Sequence, residues 1–200
     1  MKMNAYIALL RAVNVMGTSK LPMAELKSMC ESLGFQSVRT YIASGNVIFK
    51  SAKSEAQVKS LLAAAVAKHC GKPVVVHIRT AAEMAAALAA NPFREMPGNR
   101  TLAHFLEKSP AADALRAVTN QAREELALGL REIYVYYADG VGESRLNILA
   151  AKDGTARNMN TVAKLAGLAA ALLPIERGMQ DLIAAPLRRP SSQSSRARRR

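Results

Sequence analysis

The first eighty residues alternate strand-like and helix-like runs in a single order, and that order restricts the folds open to the chain. The runs are a strand at 4–10, a helix at 23–33, strands at 37–43 and 46–51, a helix at 55–69 and a strand at 74–79. Pro22 suits the first turn of one helix, and Ser54 suits the N-terminal cap of the other. The order β-α-β-β-α-β predicts a ferredoxin-like unit, in which two helices cover one face of a four-stranded antiparallel sheet.

The rest of the chain is expected to cover the other face of that sheet, and it repeats the same pattern weakly. After a helix at 81–90, the segment 91–99 contains two prolines and a glycine that interrupt every periodicity. There follow a strand over 100–108, a helix after Pro110, two strands around Gly129 and helices near 143–151 and 158–172, without a clear final strand. We predict an α+β protein with two ferredoxin-like or related subdomains, at 1–90 and 91–185, whose mostly antiparallel sheets carry helices on one face. A single larger α+β sandwich is the alternative.

The net charge of +13 raises the possibility of nucleic-acid binding, because clustered Lys and Arg neutralise phosphates. Six of the 28 basic residues, however, lie in the segment 186–200, which contains no acid and is rich in Pro and Ser. That composition predicts a disordered basic tail and leaves the rest of the chain only moderately basic. With 4% aromatic residues and no Trp, the chain also offers few side chains on which bases could stack.

Cysteine use and hydropathy predict a soluble cytoplasmic protein. Cys30 falls within a helical pattern, 40 residues from Cys70, so we expect both to be reduced thiols near the core. The apolar run before Arg11 predicts a buried strand rather than a signal peptide. No apolar stretch reaches the ~20 residues needed to cross a bilayer, so no membrane partner is expected.

Polar residues cluster first in the loop RAVNVMGTSK, between the first strand and the first helix. Arg11 and Lys20 carry charge, while Asn14 and Gly17 suit unusual backbone conformations. A glycine-containing loop before a helix can bind an anion against the unpaired N–H groups of the helix start. The alternative is a structural loop, because the spacing matches neither the phosphate-loop nor the dinucleotide fingerprint.

A second polar cluster lies in the hairpin TYIASGNV. Ser44 and Gly45 are predicted to form the turn, and Asn46 follows it directly. The amide of Asn46 has donor and acceptor atoms that can bind a ligand or tie the hairpin to the loop of Asn14. The alternative is that Asn46 only bonds the local backbone, since Ser-Gly-Asn is a common turn composition.

The third polar cluster is TARNMNTVAK, where Thr155 is a possible helix cap. Arg157, Asn158 and Asn160 follow, and Lys164 is predicted to share a helix face with Arg157. The helix dipole disfavours cations near a helix start. The placement therefore favours an anionic partner, which is either an acid from the first subdomain or a ligand.

No arrangement in the sequence specifies a reaction, a metal or a cofactor. The three histidines, His69, His77 and His104, do not stand at metal-ligand spacing, so a metal site is not expected. No serine occupies the G-x-S-x-G frame of a nucleophile elbow. The sequence therefore leaves the catalytic residues, any cofactor and the oligomeric state unassigned.

Six motifs together resemble a known family. They are LLRAVNVMG, PMAELKSMCESLGF, VRTYIASGNVIF, NPF, IYVYY and TARNMNTVAKL, and from about residue 4 to residue 170 they resemble the bacterial family catalogued as domain of unknown function 1697. The resemblance implies a stand-alone, soluble, two-part α+β protein and implies no activity. The chain departs from the family pattern at Ala12 and Met16, where Gly is more common, and at Met159, where Trp is usual. Met can replace Trp in a packing role.

The three clusters lead to one hypothesis, a small anionic or phosphate-bearing ligand bound in a cleft between the subdomains. The predicted walls are Arg11, Asn14 and Asn46 on one side and Arg157, Asn158 and Asn160 on the other, with Gly17, Ser44 and Gly45 in the turns and Lys20 at the periphery. One alternative is a nucleic-acid-binding protein that uses a sheet face and the Arg-rich tail. Another is an oligomeric scaffold in which the polar motifs only join the subdomains.

Overall fold

A computed structural model describes residues 2–14 and 20–173 of the chain. The first half contains β1 (Asn4–Leu10), α1 (Met23–Ser32), β2 (Gln36–Tyr41), β3 (Asn46–Ser51), α2 (Glu55–Cys70) and β4 (Val76–Thr80). Its strands form an antiparallel sheet in the order β2-β3-β1-β4. The predicted order of strands and helices is therefore observed.

A capping box defines the N-terminal end of α2, and a glycine defines its C-terminal end. The Ser54 side chain accepts a hydrogen bond from the Gln57 N–H, and the Gln57 side chain accepts one from the Ser54 N–H. This capping box satisfies two N–H groups at the helix start. Gly71 follows the helix with φ 67°, a conformation that glycine adopts without steric cost.

The second half contributes another four-stranded antiparallel sheet. Its elements are α3 (Ala81–Ala89), β5 (Thr101–Phe105), β6 (Val118–Thr119), β7 (Glu124–Leu128), β8 (Glu132–Tyr137), β9 (Asn147–Ile148), β10 (Thr155–Asn158) and α4 (Met159–Ala170). The sheet order is β10-β5-β8-β7, and the short strands β6 and β9 pair with each other. The fold is α+β, as predicted.

Four sequence predictions for the second half were wrong. A final strand, β10, is present, and Thr155 lies within it rather than at a helix cap. The predicted helix over 143–151 is a turn followed by β9 and one 3-10 turn, because the Ser144 hydroxyl accepts from the Leu146 N–H and competes with helical bonding. The segment after Pro110 forms only a short 3-10 turn.

The two halves share one topology although their residues do not visibly repeat. If β5, β7, β8 and β10 are numbered one to four, the second sheet has the order 2-3-1-4, the same as the first. A helix begins directly after the fourth strand in each case, α3 after β4 and α4 after β10. Positions in one half therefore have structural equivalents in the other.

Both faces of the first sheet are covered. On one face, α1 and α2 pack in a cluster that includes Tyr6, Leu10, Leu26, Phe49 and Leu62. On the other, α3, α4 and the second sheet share a cluster that includes Ile7, Leu9, Met84, Phe105 and Leu165. Because one core joins the two sheets, the boundary at residue 90 stays a prediction. In the part of the chain that the structure describes, no helix is long and apolar enough to cross a bilayer.

Candidate functional site

Arg157 lies in β10 of the second sheet, and its guanidinium reaches the first sheet. Its N–H groups donate to Asn46 Oδ1 at 2.6 Å, the Leu10 carbonyl at 2.9 Å, the Ser44 carbonyl at 2.8 Å, Thr155 Oγ1 at 2.9 Å and the Ala156 carbonyl at 2.8 Å. A guanidinium has five N–H donors, so every one has an acceptor. We call this arrangement of Arg157 with Leu10, Ser44 and Asn46 the first junction.

The charge of Arg157 is buried without a counter-charge among its acceptors. All five acceptors are neutral oxygens, from three backbone carbonyls, one amide and one hydroxyl. Burial lowers the pKa of Arg157 to about 10. The guanidinium is still charged near neutral pH, so the first junction has a net positive charge.

Asn46 is the first residue of β3, and its buried side chain uses both of its polar atoms. Its Nδ2 donates to the Tyr41 carbonyl at 2.9 Å and to Ser44 Oγ at 3.0 Å, while its Oδ1 accepts from Arg157. The amide therefore holds the β2–β3 turn closed and presents its oxygen to the arginine. Arg157 and Asn46, which we predicted on opposite walls of a ligand cleft, instead bond each other directly.

Asn14 joins the loop after β1 to the β2–β3 turn. Its Nδ2 donates to the Ala43 carbonyl at 2.9 Å and to the Leu21 carbonyl at 2.7 Å, and its Oδ1 accepts from the Leu21 N–H at 2.7 Å. These bonds hold Asn14 beside the first junction, but they run to the backbone rather than to Arg157. Gly17 lies outside the described residues.

The turn and β1 approach closely at Gly45. The backbone of Gly45 has φ 78°, and a Cβ there would lie 2.4 Å from Val13 Cγ2 and 2.9 Å from Leu10 Cβ. The Gly45 carbonyl accepts from the Leu10 N–H at 2.8 Å. Glycine is required here by conformation and by space.

Two cationic side chains lie at the surface of the same region. Arg11 follows Leu10 and is 3.7 Å from the Asp153 carboxylate, with side-chain exposures of 39% and 79%. Lys20, beside the Asn14-bonded Leu21, is exposed. An exposed ion pair is worth at most about 1 kcal/mol, so Arg11 is readily available to another anion.

Among the hydrogen bonds of residues 2–14 and 20–173, none joins Asn158 or Asn160 to the first junction. Asn158 caps α4, since its Oδ1 accepts from the Thr161 N–H at 2.9 Å. A Cβ on Gly98 would lie 2.3 Å from Asn160 Oδ1, so that side chain lies against the 91–99 segment. The prediction that Arg157 shares a helix face with Lys164 was wrong, because Arg157 precedes the helix and lies in a strand.

A second buried arginine, Arg79, makes the reverse connection from β4 to the second sheet. Its N–H groups donate to Glu132 Oε1 at 3.2 Å, the Leu106 carbonyl at 2.7 Å, the Arg131 carbonyl at 3.0 Å and the Ile78 carbonyl at 2.8 Å. The guanidinium also lies 5.4 Å from the centre of the Phe105 ring. We call Arg79 with Leu106, Arg131 and Glu132 the second junction.

The two junctions occupy equivalent positions in the shared topology. Each arginine directly precedes the N-terminal cap of the helix after the fourth strand, Thr80 for α3 and Asn158 for α4. Each arginine donates to the carbonyl of the residue before it and to a carbonyl at or directly after the end of the first strand of the opposite half, which is Leu10 for Arg157 and Leu106 for Arg79. Each also donates to a carbonyl in the turn before the third strand of that half and to the side chain of the first residue of that strand. The difference is chemical, because the last acceptor is the carboxylate of Glu132 at one junction and the amide of Asn46 at the other.

The sequence predictions missed Arg79 and Glu132. One sequence signal could have identified Arg79. Like Arg157, it directly precedes a residue that caps a helix, because Thr80 forms a capping box with Glu83 at the start of α3 and Asn158 caps α4. Glu132 had no such signal. Its role depends on a contact 53 residues away in the chain.

Burial perturbs the pKa of three further reactive side chains, those of Cys30, His77 and His104. Burial raises the pKa of the free thiol of Cys30 to about 12, so it is a poor nucleophile. Burial lowers the pKa of His104 to about 4 and also lowers that of His77, whose Nε2 bonds the Asp153 carbonyl. Within residues 2–14 and 20–173, no three His, Cys, Asp or Glu side chains are placed to hold a metal ion.

Comparison with known proteins identifies a family and a fold. Residues 3–134 match the family model described as "Protein of unknown function (DUF1697)". The solved structure of a conserved bacterial protein from Streptococcus pneumoniae is similar, with a TM-score of 0.69 and 24% sequence identity, over 84% of this chain and 99% of that one. No curated protein matches the chain. At this identity the structural likeness indicates a shared fold and nothing further.

Proposed function

The chain belongs to the DUF1697 family of proteins of unknown function, and from the chemistry of the first junction we propose that it binds a small anionic or phosphate-bearing ligand there. The observation that carries the proposal is the contrast between the two arginines. Arg79 has the carboxylate of Glu132 as counter-charge, whereas Arg157 has only neutral acceptors. An anion at the first junction would supply the charge that Glu132 supplies at the second.

The electrostatic gain is large enough to matter. Taking a charge out of water costs several kcal/mol unless opposite charge or dipoles compensate. At an effective dielectric constant of about 20, a single negative charge roughly 8 Å from the guanidinium would interact with about 2 kcal/mol. Because Arg157 is buried, solvent screens this interaction less than it would at the surface.

Direct contacts to the anion would come from groups other than Arg157, whose donors are all occupied. Arg11 and Lys20 offer charged donors at the surface. The Ser44 hydroxyl accepts from Asn46 Nδ2, which leaves its own proton for a ligand oxygen. Arg157 then contributes its charge, and Asn14 contributes by holding the loop against the turn.

The two alternatives fit the geometry less well. A nucleic-acid site on the first sheet would need an open face, and core clusters lie on both faces of that sheet. The Arg-rich tail lies outside the described residues. A purely structural junction accounts for the hydrogen bonds of Arg157. It does not explain why the first junction has the neutral Asn46 where the second has the carboxylate of Glu132.

The test is thermal unfolding of the full chain in phosphate and in chloride at matched ionic strength. A ligand at 100 times its Kd stabilises the folded state by about 2.7 kcal/mol, so phosphate should raise Tm by several degrees. The double variant Arg11→Ala, Lys20→Ala should lose most of this response while staying folded, because both side chains are at the surface.

Asn46→Asp is the sharper variant, because it places a carboxylate beside Arg157 as Glu132 lies beside Arg79. It gives up the two bonds that the amide donates, so its basal Tm is expected to fall. The informative quantity is its phosphate response, which should disappear because the counter-charge is now built in. Glu132→Gln, the matched change at the second junction, should keep the response. An unchanged phosphate response in Asn46→Asp, or none in the wild type, would overturn the proposal.

A further inference from the structure

The β2–β3 turn holds an isoleucine in a conformation that does not suit it. Ile42 has φ 49°, in the left-handed region, where a β-branched side chain is strained and Asn or Gly is not. Its side chain is also not buried, since 50% of the residue is exposed. Neither backbone preference nor core packing accounts for isoleucine at this position.

Positive φ angles are concentrated around the first junction. Among the described residues, five other than glycine have positive φ, and three of them are Ala12 (52°), Asn14 (56°) and Ile42. Asn14 bonds the carbonyl of Ala43, the residue after Ile42, so the two segments with positive φ are in contact. Strained backbone persists where the surrounding structure enforces it, and it clusters at sites that bind ligands.

A second exposed apolar residue lies across β1 from this turn. The end of β1 pairs with the start of β3 on one side, Leu9 opposite Asn46, and with the start of β4 on the other, Leu10 opposite Val76. Val75, 40% exposed, accepts from the Arg11 N–H at 2.9 Å. Ile42 follows β2 and Val75 precedes β4, which are the outer strands of the sheet, so β3 and β1 separate the two residues. One small apolar group can therefore contact Ile42 or Val75 but not both, and Ile42 is the one beside the Asn14 segment.

We infer that the ligand of the first junction is an organic phosphate rather than the inorganic ion, with its apolar group against Ile42 and its phosphate toward Arg11 and Lys20. This inference rests on the proposed function and adds the class of ligand. The charge at the junction attracts any anion, whereas burial of the Ile42 side chain is favourable only with a ligand that has apolar surface of its own. An isoleucine kept exposed in a strained turn is explained by that contact.

The test measures the affinity of the full chain for inorganic phosphate and for phenyl phosphate by titration calorimetry. Phenyl phosphate is expected to bind about tenfold more tightly, a difference of about 1.4 kcal/mol. Ile42→Asn should remove most of that gain and leave the Kd of inorganic phosphate within about twofold, because the charged groups are untouched. Its Tm should rise, because Asn adopts the left-handed region with less strain.

Leu130→Asn is the matched control. Leu130 is 74% exposed in the β7–β8 turn of the second junction, where Arg79 already has its counter-charge. This variant should leave both affinities unchanged. Val75→Thr, which keeps β-branching and adds a hydroxyl on the far side of β1 from Ile42, is a second control and should leave both affinities unchanged.

The outcomes separate the two proposals. Binding of inorganic phosphate with no gain for phenyl phosphate overturns the inference and leaves anion binding intact. Equal gains for phenyl phosphate in the wild type and in Ile42→Asn also overturn it, since the apolar contact would then lie elsewhere. Binding of neither probe removes the proposed function, and the ligand class with it.

Discussion

Glu132→Gln should show how much a counter-charge contributes at a buried arginine of this fold. The Glu132 carboxylate is buried, with Oε1 accepting from Arg79 Nε at 3.2 Å and Oε2 accepting from the Arg131 backbone N–H at 3.0 Å. Glutamine keeps the size of the side chain and one acceptor oxygen. It removes the negative charge and turns an amide NH₂ group toward a backbone donor.

The expected loss follows from these contacts. Breaking a buried ion pair by removing one partner typically costs about 3–5 kcal/mol, because the remaining charge is buried without compensation. Since glutamine can still accept from Arg79, we expect about 3 kcal/mol in the free energy of unfolding. For a chain of this size that corresponds to a fall in Tm of roughly 6–12 °C.

The assay is urea unfolding followed by circular dichroism, with Asp139→Asn as the control for removing a surface carboxylate. Asp139 pairs with Arg123 at 2.8 Å, both side chains being more than half exposed, so its loss should cost less than about 1 kcal/mol. If Glu132→Gln costs no more than Asp139→Asn, a buried arginine here needs no counter-charge. The argument for an anion beside Arg157 would then fail as well.

Two further predictions concern acid and sterics. Burial lowers the pKa of His104 to about 4 in the folded protein, against about 6.5 in the unfolded chain, so the unfolded chain takes up the proton first as the pH falls. The free energy of unfolding should therefore fall by up to about 3 kcal/mol between pH 6.5 and pH 4. His104→Gln should reduce this loss in urea unfolding measured over that pH range, and an unchanged pH dependence would contradict the prediction. Gly45→Ala should destabilise by roughly 2–4 kcal/mol, against about 1 kcal/mol for Gly34→Ala, because both glycines have φ near 79° but only Gly45 has atoms within 4 Å of the added methyl. Equal urea midpoints for the two alanine variants would mean that the contact with Val13 relaxes at no cost.

The first half of the fold could be predicted because its signals are local. Apolar runs mark β1 and β4, and the capping residue Ser54 marks the start of α2. In the second half, we did not predict β10, because a strand of only four residues that ends at a helix cap is too short to show an alternation of apolar and polar residues. The prediction of a helix over 143–151 did not take into account that the Ser144 hydroxyl accepts a hydrogen bond from the Leu146 N–H.

The site was predictable only in part, for a related reason. The polar clusters identified Arg157 and Asn46, whose bond joins residues 111 apart in the chain, because both stand in turns or strand ends rich in polar residues. Arg79 stands in the run VVVHIR, which is typical of an ordinary buried strand, so the sequence does not distinguish this arginine as a site residue. Its burial is a consequence of packing between the two sheets, which sequence spacing does not report.

The reciprocal exchange of arginines has a consequence for how the molecule holds together. Arg157 finds three of its acceptors in the opposite half, and so does Arg79, so neither half on its own can satisfy its guanidinium. Separation of the two halves would leave both guanidinium groups without most of their hydrogen-bond acceptors at the same time. A chain cleaved within 91–99 should therefore persist as a tightly paired complex of its two fragments, and either fragment alone should be unable to keep a native core.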